Sequence, residues 1–228
     1  MNASVGSAAG EGSGASAVAR ASVVYYAAHA LLVVAGLISL PITTRLLSKA
    51  EYGVLSLAFA GIAVLTLVAG LGLGSAATRF YHDAAARGAG PLRELCEGLI
   101  TGAALAGAFV AVPTFVAGWT GLGGDAPSQA ACLAAGSLLV VVRAVSGVVF
   151  QIQRAEERAL AYAAAQLVIR YGTLFVAVPA LFFGARTAVT VIVASIAVEA
   201  VVLAVRLHDL RRRGLLERPR LPPVLGAA

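Results

Sequence analysis

The chain has 228 residues, 60% of them hydrophobic, 12% charged and 7% aromatic, with a mean hydropathy of +0.90. Soluble domains run at about 45–50% apolar and about 25% charged, so a water-soluble globular domain is excluded and most of the surface needs hydrocarbon as its solvent. The formal charge of +6, from 17 Lys and Arg against 11 Asp and Glu, reads in such a chain as topology; with one lysine and no basic stripe interleaved with aromatics, nucleic acid is set aside as a partner.

Residues 1–20 are a Gly/Ser/Ala tract too weakly apolar to pack, and are expected to form a disordered cytoplasmic tail. The first cation is Arg20 and the apolar run behind it is of full spanning length, so the pattern is not that of a cleaved signal peptide. Six apolar runs of about 20 residues follow, at 22–40, 54–73, 98–119, 130–151, 163–183 and 188–205. They predict an all-α, polytopic membrane protein with a six-helix domain over 21–207 and a basic tail or linker over 208–228.

Boundary signals agree with this division. Ser48-Lys49-Ala50-Glu51 has the form of a capping box ahead of the second run. Gly121, Gly123, Gly124 and Pro127 mark the turn between the third and fourth. With a cytoplasmic amino terminus, 12 cations fall inside and three (Arg45, Lys49 and Arg186) outside, while Arg143 and Arg170 lie within spans. Both termini are therefore expected to be cytoplasmic. Tyr25, Tyr26, Tyr81 and Tyr162 fall near the inner interface and Tyr52 and Trp119 near the outer. Cys96 and Cys132 lie at opposite faces on this topology and should be free thiols.

The informative feature is charge inside the spans. Arg143, Arg170 and Glu199 each fall near the bilayer middle, where a charge costs about 2.5–3.5 kcal/mol and a Leu or Val returns only about 0.3–0.6. Such residues must face protein or water. Helical spacing puts Arg143 with Gly136, Ser146 and Gly147, Arg170 with Gln166 and Thr173, and Glu199 with Ser195. One reading is a buried ion pair, Arg170 with Glu199, that fixes helix packing. The functional reading is a cationic, water-filled cavity for an anionic headgroup, lined by Arg143, Arg170, Gln166 and Ser146, with Glu199 as a proton or cation site. His29 in the first span, on a face with Ser22 and Tyr25, is read either as a hydrogen-bonded histidine or as part of a proton relay.

Other chemistry is missing from the pattern. Gly70, Gly72 and Gly74 form a G-x-G-x-G run that closes a membrane helix and lacks the P-loop Lys, so no nucleotide site is expected. The three histidines are far apart and there is no C-x-x-C or H-E-x-x-H, so no metal or other cofactor is expected. Glu94, Glu97, Glu156 and Glu157 read as solvated helix ends among arginines.

Residues 37–83 hold two motifs: Thr44, Arg45, Leu47, Ser48, Glu51, Tyr52 and Gly53 match T-R-x-L-[SG]-x-x-E-[YF]-G, and Gly72, Leu73, Gly74, Ala76, Arg79 and Phe80 match G-L-[GS]-x-[AS] followed by Arg and an aromatic. In these the chain resembles the amino-terminal half of the polysaccharide-biosynthesis flippases, within the multidrug/oligosaccharidyl-lipid/polysaccharide exporter superfamily. The resemblance implies a multi-pass protein of the bacterial inner (cytoplasmic) membrane that moves polyprenyl-diphosphate-linked oligosaccharide between leaflets by alternating access, without nucleotide hydrolysis and without being an enzyme. It also implies one lobe of a two-lobe fold, with the second lobe supplied in trans or by a second copy, and 208–228 resembling an inter-lobe linker. Two other functions are compatible with the residues: export of drugs or small cations by the same fold, which calls for an acidic cavity, and a non-catalytic subunit that scaffolds glycan assembly.

Overall fold

The computed structural model describes residues 8–70, 72–120 and 127–216. Among them the chain is helical throughout, with no strand, in the order α1 (Ala8–Leu46), α2 (Lys49–Gly70), α3 (Leu73–Arg87), α4 (Ala89–Trp119), α5 (Pro127–Ala155), α6 (Ala159–Phe183) and α7 (Ala188–Arg212). Six segments are long and apolar enough to cross a membrane, α2 and α3 counting as one. The turn expected at Gly121, Gly123 and Gly124 lies outside the described residues, as does the side chain of Tyr25.

Helix ends follow local chemistry. Ser48 Oγ accepts the Glu51 N–H at 3.2 Å and starts α2. The left-handed φ of 78° at Gly72 breaks α2 from α3, and Gly214 at φ 74° ends α7, where Leu215 N–H reaches back to the Leu210 carbonyl at 3.1 Å. Helix α1 begins at Ala8, inside the stretch read as a tail, in keeping with its alanine content. It also runs through Pro41, five residues beyond which it ends at Leu46.

Helix α5 is the hub, packed against α2, α3, α4, α6 and α7, while α1 rests on α6. The hub is possible because small residues let backbones approach, the usual source of helix association in lipid. A Cβ on Gly107 of α4 would meet Ala144 Cβ at 3.2 Å, and one on Gly118 would stand 2.8 Å from the Ala130 carbonyl oxygen. Two apolar clusters result. Leu139, Val140, Leu181 and Ile192 centre one, and Cys96, Val149, Ile152 and Leu210 the other. Both cysteines are free and buried.

Helices α1 and α2 are joined by a short turn at Leu47 and Ser48 but pack on different neighbours, α1 on α6 and α2 on α5 and α4. The end of the bundle away from that turn carries Arg154, Arg158, Arg206 and Arg211–Arg213 and is called here the basic end. Cavities floored by α5, together called the cleft here, lie on the side of the bundle that α1 and α2 flank: Arg143 lines the central one, Gln151 one beside α2 and α3, and Arg154 one beside α1 and α6. At Gly147 a Cβ would meet nothing within 4 Å, so the floor is open there.

Candidate functional site

Three helices bring the mid-span charges together. Arg143 comes from α5, Arg170 from α6 and Glu199 from α7, the latter two each the twelfth residue of a 25-residue helix. All three line one cavity of about 470 Å³, with Tyr52, Thr173 and Ser195 on its walls. The cavity lies between α1, α2, α6 and α7, over the α5 floor.

The ion pair is Arg143 with Glu199, which corrects the expected Arg170–Glu199 pair. Arg143 Nε donates to both carboxylate oxygens, at 3.0 and 3.2 Å, and Nη2 donates to Oε1 at 2.8 Å. Its guanidinium also lies 5.6 Å from the Phe59 ring centroid, at the edge of useful cation–π range. The side chains are 30% and 6% exposed, so the carboxylate is sealed in protein while the guanidinium opens onto the cleft. The physical reason is that α7 packs against α5 as well as α6, and the Glu199 face of α7 turns to α5.

Arg170 is exposed and has no carboxylate partner among the described residues. Its Nη2 lies close to Gly36 of α1, where an added Cβ would come within 3.4 Å of it. From Arg170 a groove follows the α1–α6 seam. A cavity of about 460 Å³ shares Gly36, Ile169 and Arg170 with the central one, and the next, of about 470 Å³, shares His29, Leu32 and Gln166 with it. That last cavity ends at Arg154, whose guanidinium lies 5.8 Å from the Tyr162 ring centroid. His29 and Gln166 are thus in the groove between two cations, with Gln166 Nε2 3.5 Å from Tyr162 Oη.

Ser146 is placed differently. It is buried, lines none of these cavities and has no hydrogen-bond partner for its hydroxyl. One residue's rotation around α5, about 100°, separates it from the cleft face that holds Gly147.

The motif residues have mostly architectural positions. Glu51 does not complete a capping box; its Oε2 instead accepts the Ala188 N–H at 2.6 Å, capping α7 from the start of α2. Tyr52 packs on the core and faces the central cavity. Gly72 supplies the left-handed turn, and Gly74 clears Gln151, whose Cγ would stand 3.1 Å from an added Cβ. Arg79 is exposed, 5.5 Å from the Phe80 ring centroid. Arg45 is exposed in the last turn of α1, where a cation favours the helix dipole. Nothing in the structure explains Gly53, where a Cβ would meet open space.

The basic end holds a network that helix-end reasoning missed. Glu156 accepts Tyr81 Oη–H at 3.1 Å and Arg213 Nη1 at 2.9 Å, and Asp209 pairs with both Arg158, at 3.2 Å, and Arg213. Glu156 is a strut joining α3, α5 and α7 rather than a solvated end; the one available signal was the concentration of opposite charges at 154–158 and 206–213.

A family model described as polysaccharide biosynthesis protein matches residues 18–214, most of the chain. No curated protein and no solved structure matches it. The chain belongs to the polysaccharide biosynthesis protein family, and is a multi-pass, all-helical membrane protein of that family.

Proposed function

We propose, from that membership and the geometry of the cleft, that this chain is one lobe of a flippase that carries polyprenyl-diphosphate-linked oligosaccharide across the bacterial cytoplasmic membrane by alternating access. The excess of arginines makes the basic end the cytoplasmic end on this reading, so that the cleft takes its substrate from the leaflet in which it is made. A second lobe, in trans or from a second copy, faces the cleft. The reading excludes a catalytic role: the cleft's part is to bind, shelter and release.

The observation that carries the reading is Arg170. A mid-depth cation costs about 2.5–3.5 kcal/mol unless compensated, and the nearby carboxylate is already committed to Arg143. An anionic group arriving in the cleft supplies the compensation that the protein withholds, and a diphosphate accepts the planar fork of a guanidinium well. Arg143, held by Glu199 yet open to the cavity, is a second donor at the same depth. Glu199, which holds Arg143 beside the cavity, is the proposed coupling residue.

In cells that depend on this protein for surface polysaccharide, Arg170→Ala should lower export at least tenfold at unchanged protein level, and Arg170→Lys should retain part of it. Full export by Arg170→Ala would overturn the diphosphate assignment and favour a scaffolding subunit, which tolerates neutral residues wherever packing survives. Loss of transport with Glu199→Gln alone, both arginines being dispensable, would point to cation export instead.

A further inference from the structure

The two sides of the cleft differ in chemistry. The α1–α6 side carries Arg154, His29 and Arg170. On the α2–α3 side, a groove of about 500 Å³ is lined by Thr66, Gly72, Gly74, Ser75, Thr78 and Gln151, and no charged residue lines it. It continues the stripe of α2 that faces the central cavity: Tyr52, Ser56 and Phe59 are followed, at helical spacing, by Ala63, Thr66 and Gly70. The groove and the central cavity share no lining residue but lie along one face of α2.

Its hydrogen-bonding capacity is only partly used. Thr78 Oγ1 donates back to the Ser75 carbonyl at 3.0 Å. The Ser75 hydroxyl and the Gln151 amide make no bond among the described residues, and Thr66 Oγ1 has no partner. An amide left unsatisfied in a membrane span is unfavourable, and here it is held in place: Gly74 lies flat against the Gln151 stem. Free amide and hydroxyl groups both donate and accept, which matches the hydroxyls of a neutral polyol, while a diphosphate, which only accepts, is better matched by the arginines on the other side. Gln151 follows Arg143 by eight residues on the same face of α5, about 12 Å along the axis.

We propose that this neutral groove binds the sugar portion of the substrate, with Gln151 as its principal hydrogen-bonding residue, while the arginine side of the cleft holds the diphosphate. The assignment rests on the flippase reading and adds to it a division of the cleft: charge is read on one wall and glycan on the other. Gly72, where a Cβ would meet nothing within 4 Å, then has a second consequence, since the bare backbone leaves the sugar ring room at the start of α3.

The test compares two probes that differ only in the sugar, polyprenyl diphosphate and polyprenyl-diphosphate-linked N-acetylhexosamine, binding to the full chain in lipid nanodiscs. Gln151→Leu keeps the side-chain bulk and removes the amide. It should weaken the glycosylated probe by about tenfold, the effect of one or two hydrogen bonds, and leave the bare diphosphate unchanged. Ser75→Ala, on the exposed rim, should act in the same direction more weakly and serves where Gln151→Leu lowers the folded yield. Equal weakening of both probes, or none of either, would overturn the glycan assignment while leaving the flippase reading intact. Absence of binding by either probe to the unsubstituted chain would overturn both.

Discussion

Replacing Glu199 by alanine strands a guanidinium at bilayer mid-depth, and replacing Arg143 strands a carboxylate that is almost fully sealed in protein. Breaking a buried pair costs about 3–5 kcal/mol, whereas exchanging both partners for apolar groups of similar volume is often neutral. Because Arg143 is 30% exposed to the cleft, each single change should cost less than that range. Arg143→Met with Glu199→Leu should melt above either Arg143→Ala or Glu199→Ala in detergent, yet fail to restore export, which separates the pair's packing role from its service to the substrate. A double variant no more stable than the singles would show that the pair stabilises the lobe outright. Depth alone made all three charges visible in the sequence. Which arginine meets Glu199 was not legible, because it depends on how far α7 is rotated between α5 and α6, and hydropathy carries no information about rotation.

Helix α7 opens at Ala188 with no side-chain cap from its own flank; Thr187 forms none. The cap comes from Glu51, 137 residues earlier, at 2.6 Å. Loss of a capping side chain costs about 0.5–2 kcal/mol, so Glu51→Ala should lower the melting temperature by several degrees and loosen α2 from α7 near the α1–α2 turn, read as faster amide exchange at 188–191. Glu51→Gln, which keeps an acceptor but not the charge, should lie between. No change in exchange with Glu51→Ala would show that the contact is incidental. A local pattern, Ser48 with Glu51, suggested an intrahelical box, and half of it forms; the other half is taken by a helix end that only the tertiary fold brings near. Helix α3 was missed for a related reason. Its 15 residues include Arg79, His82 and Asp83, so a hydropathy window stops at Leu73, while the buried stripe of Ala77 and Ala84 against α4 and α5 is too short to register as a span.

Taken whole, the described helical bundle is tied at both ends and open along one side. Near the α1–α2 turn Glu51 joins α2 to α7, and at the basic end Glu156, Asp209 and Arg213 join α3, α5, α6 and α7. Between these ties the cleft presents Arg170, exposed Ser56 and the bare Gly147 to its surroundings. Polar groups so placed are unfavourable against acyl chains, whereas α4 shows the surface suited to lipid, with Leu105, Phe109 and Trp119 exposed. On the proposed function, the contrast fits a cleft side that meets a second lobe and an α4 side that meets the bilayer. An even number of spans puts both termini on one side, so a two-fold axis along the membrane normal would set two clefts face to face. With Cys96 and Cys132 replaced by alanine, a single cysteine at Ser56 should crosslink to a second lobe in native membranes, giving a defined adduct, while one at Phe109 should not. Crosslinking from Phe109 but not from Ser56 would reverse the assignment, turning the cleft toward lipid and removing the sheltered space that alternating access requires. On the proposed flippase reading, the ties at both ends favour rocking of this bundle as one body over spreading of helices within it.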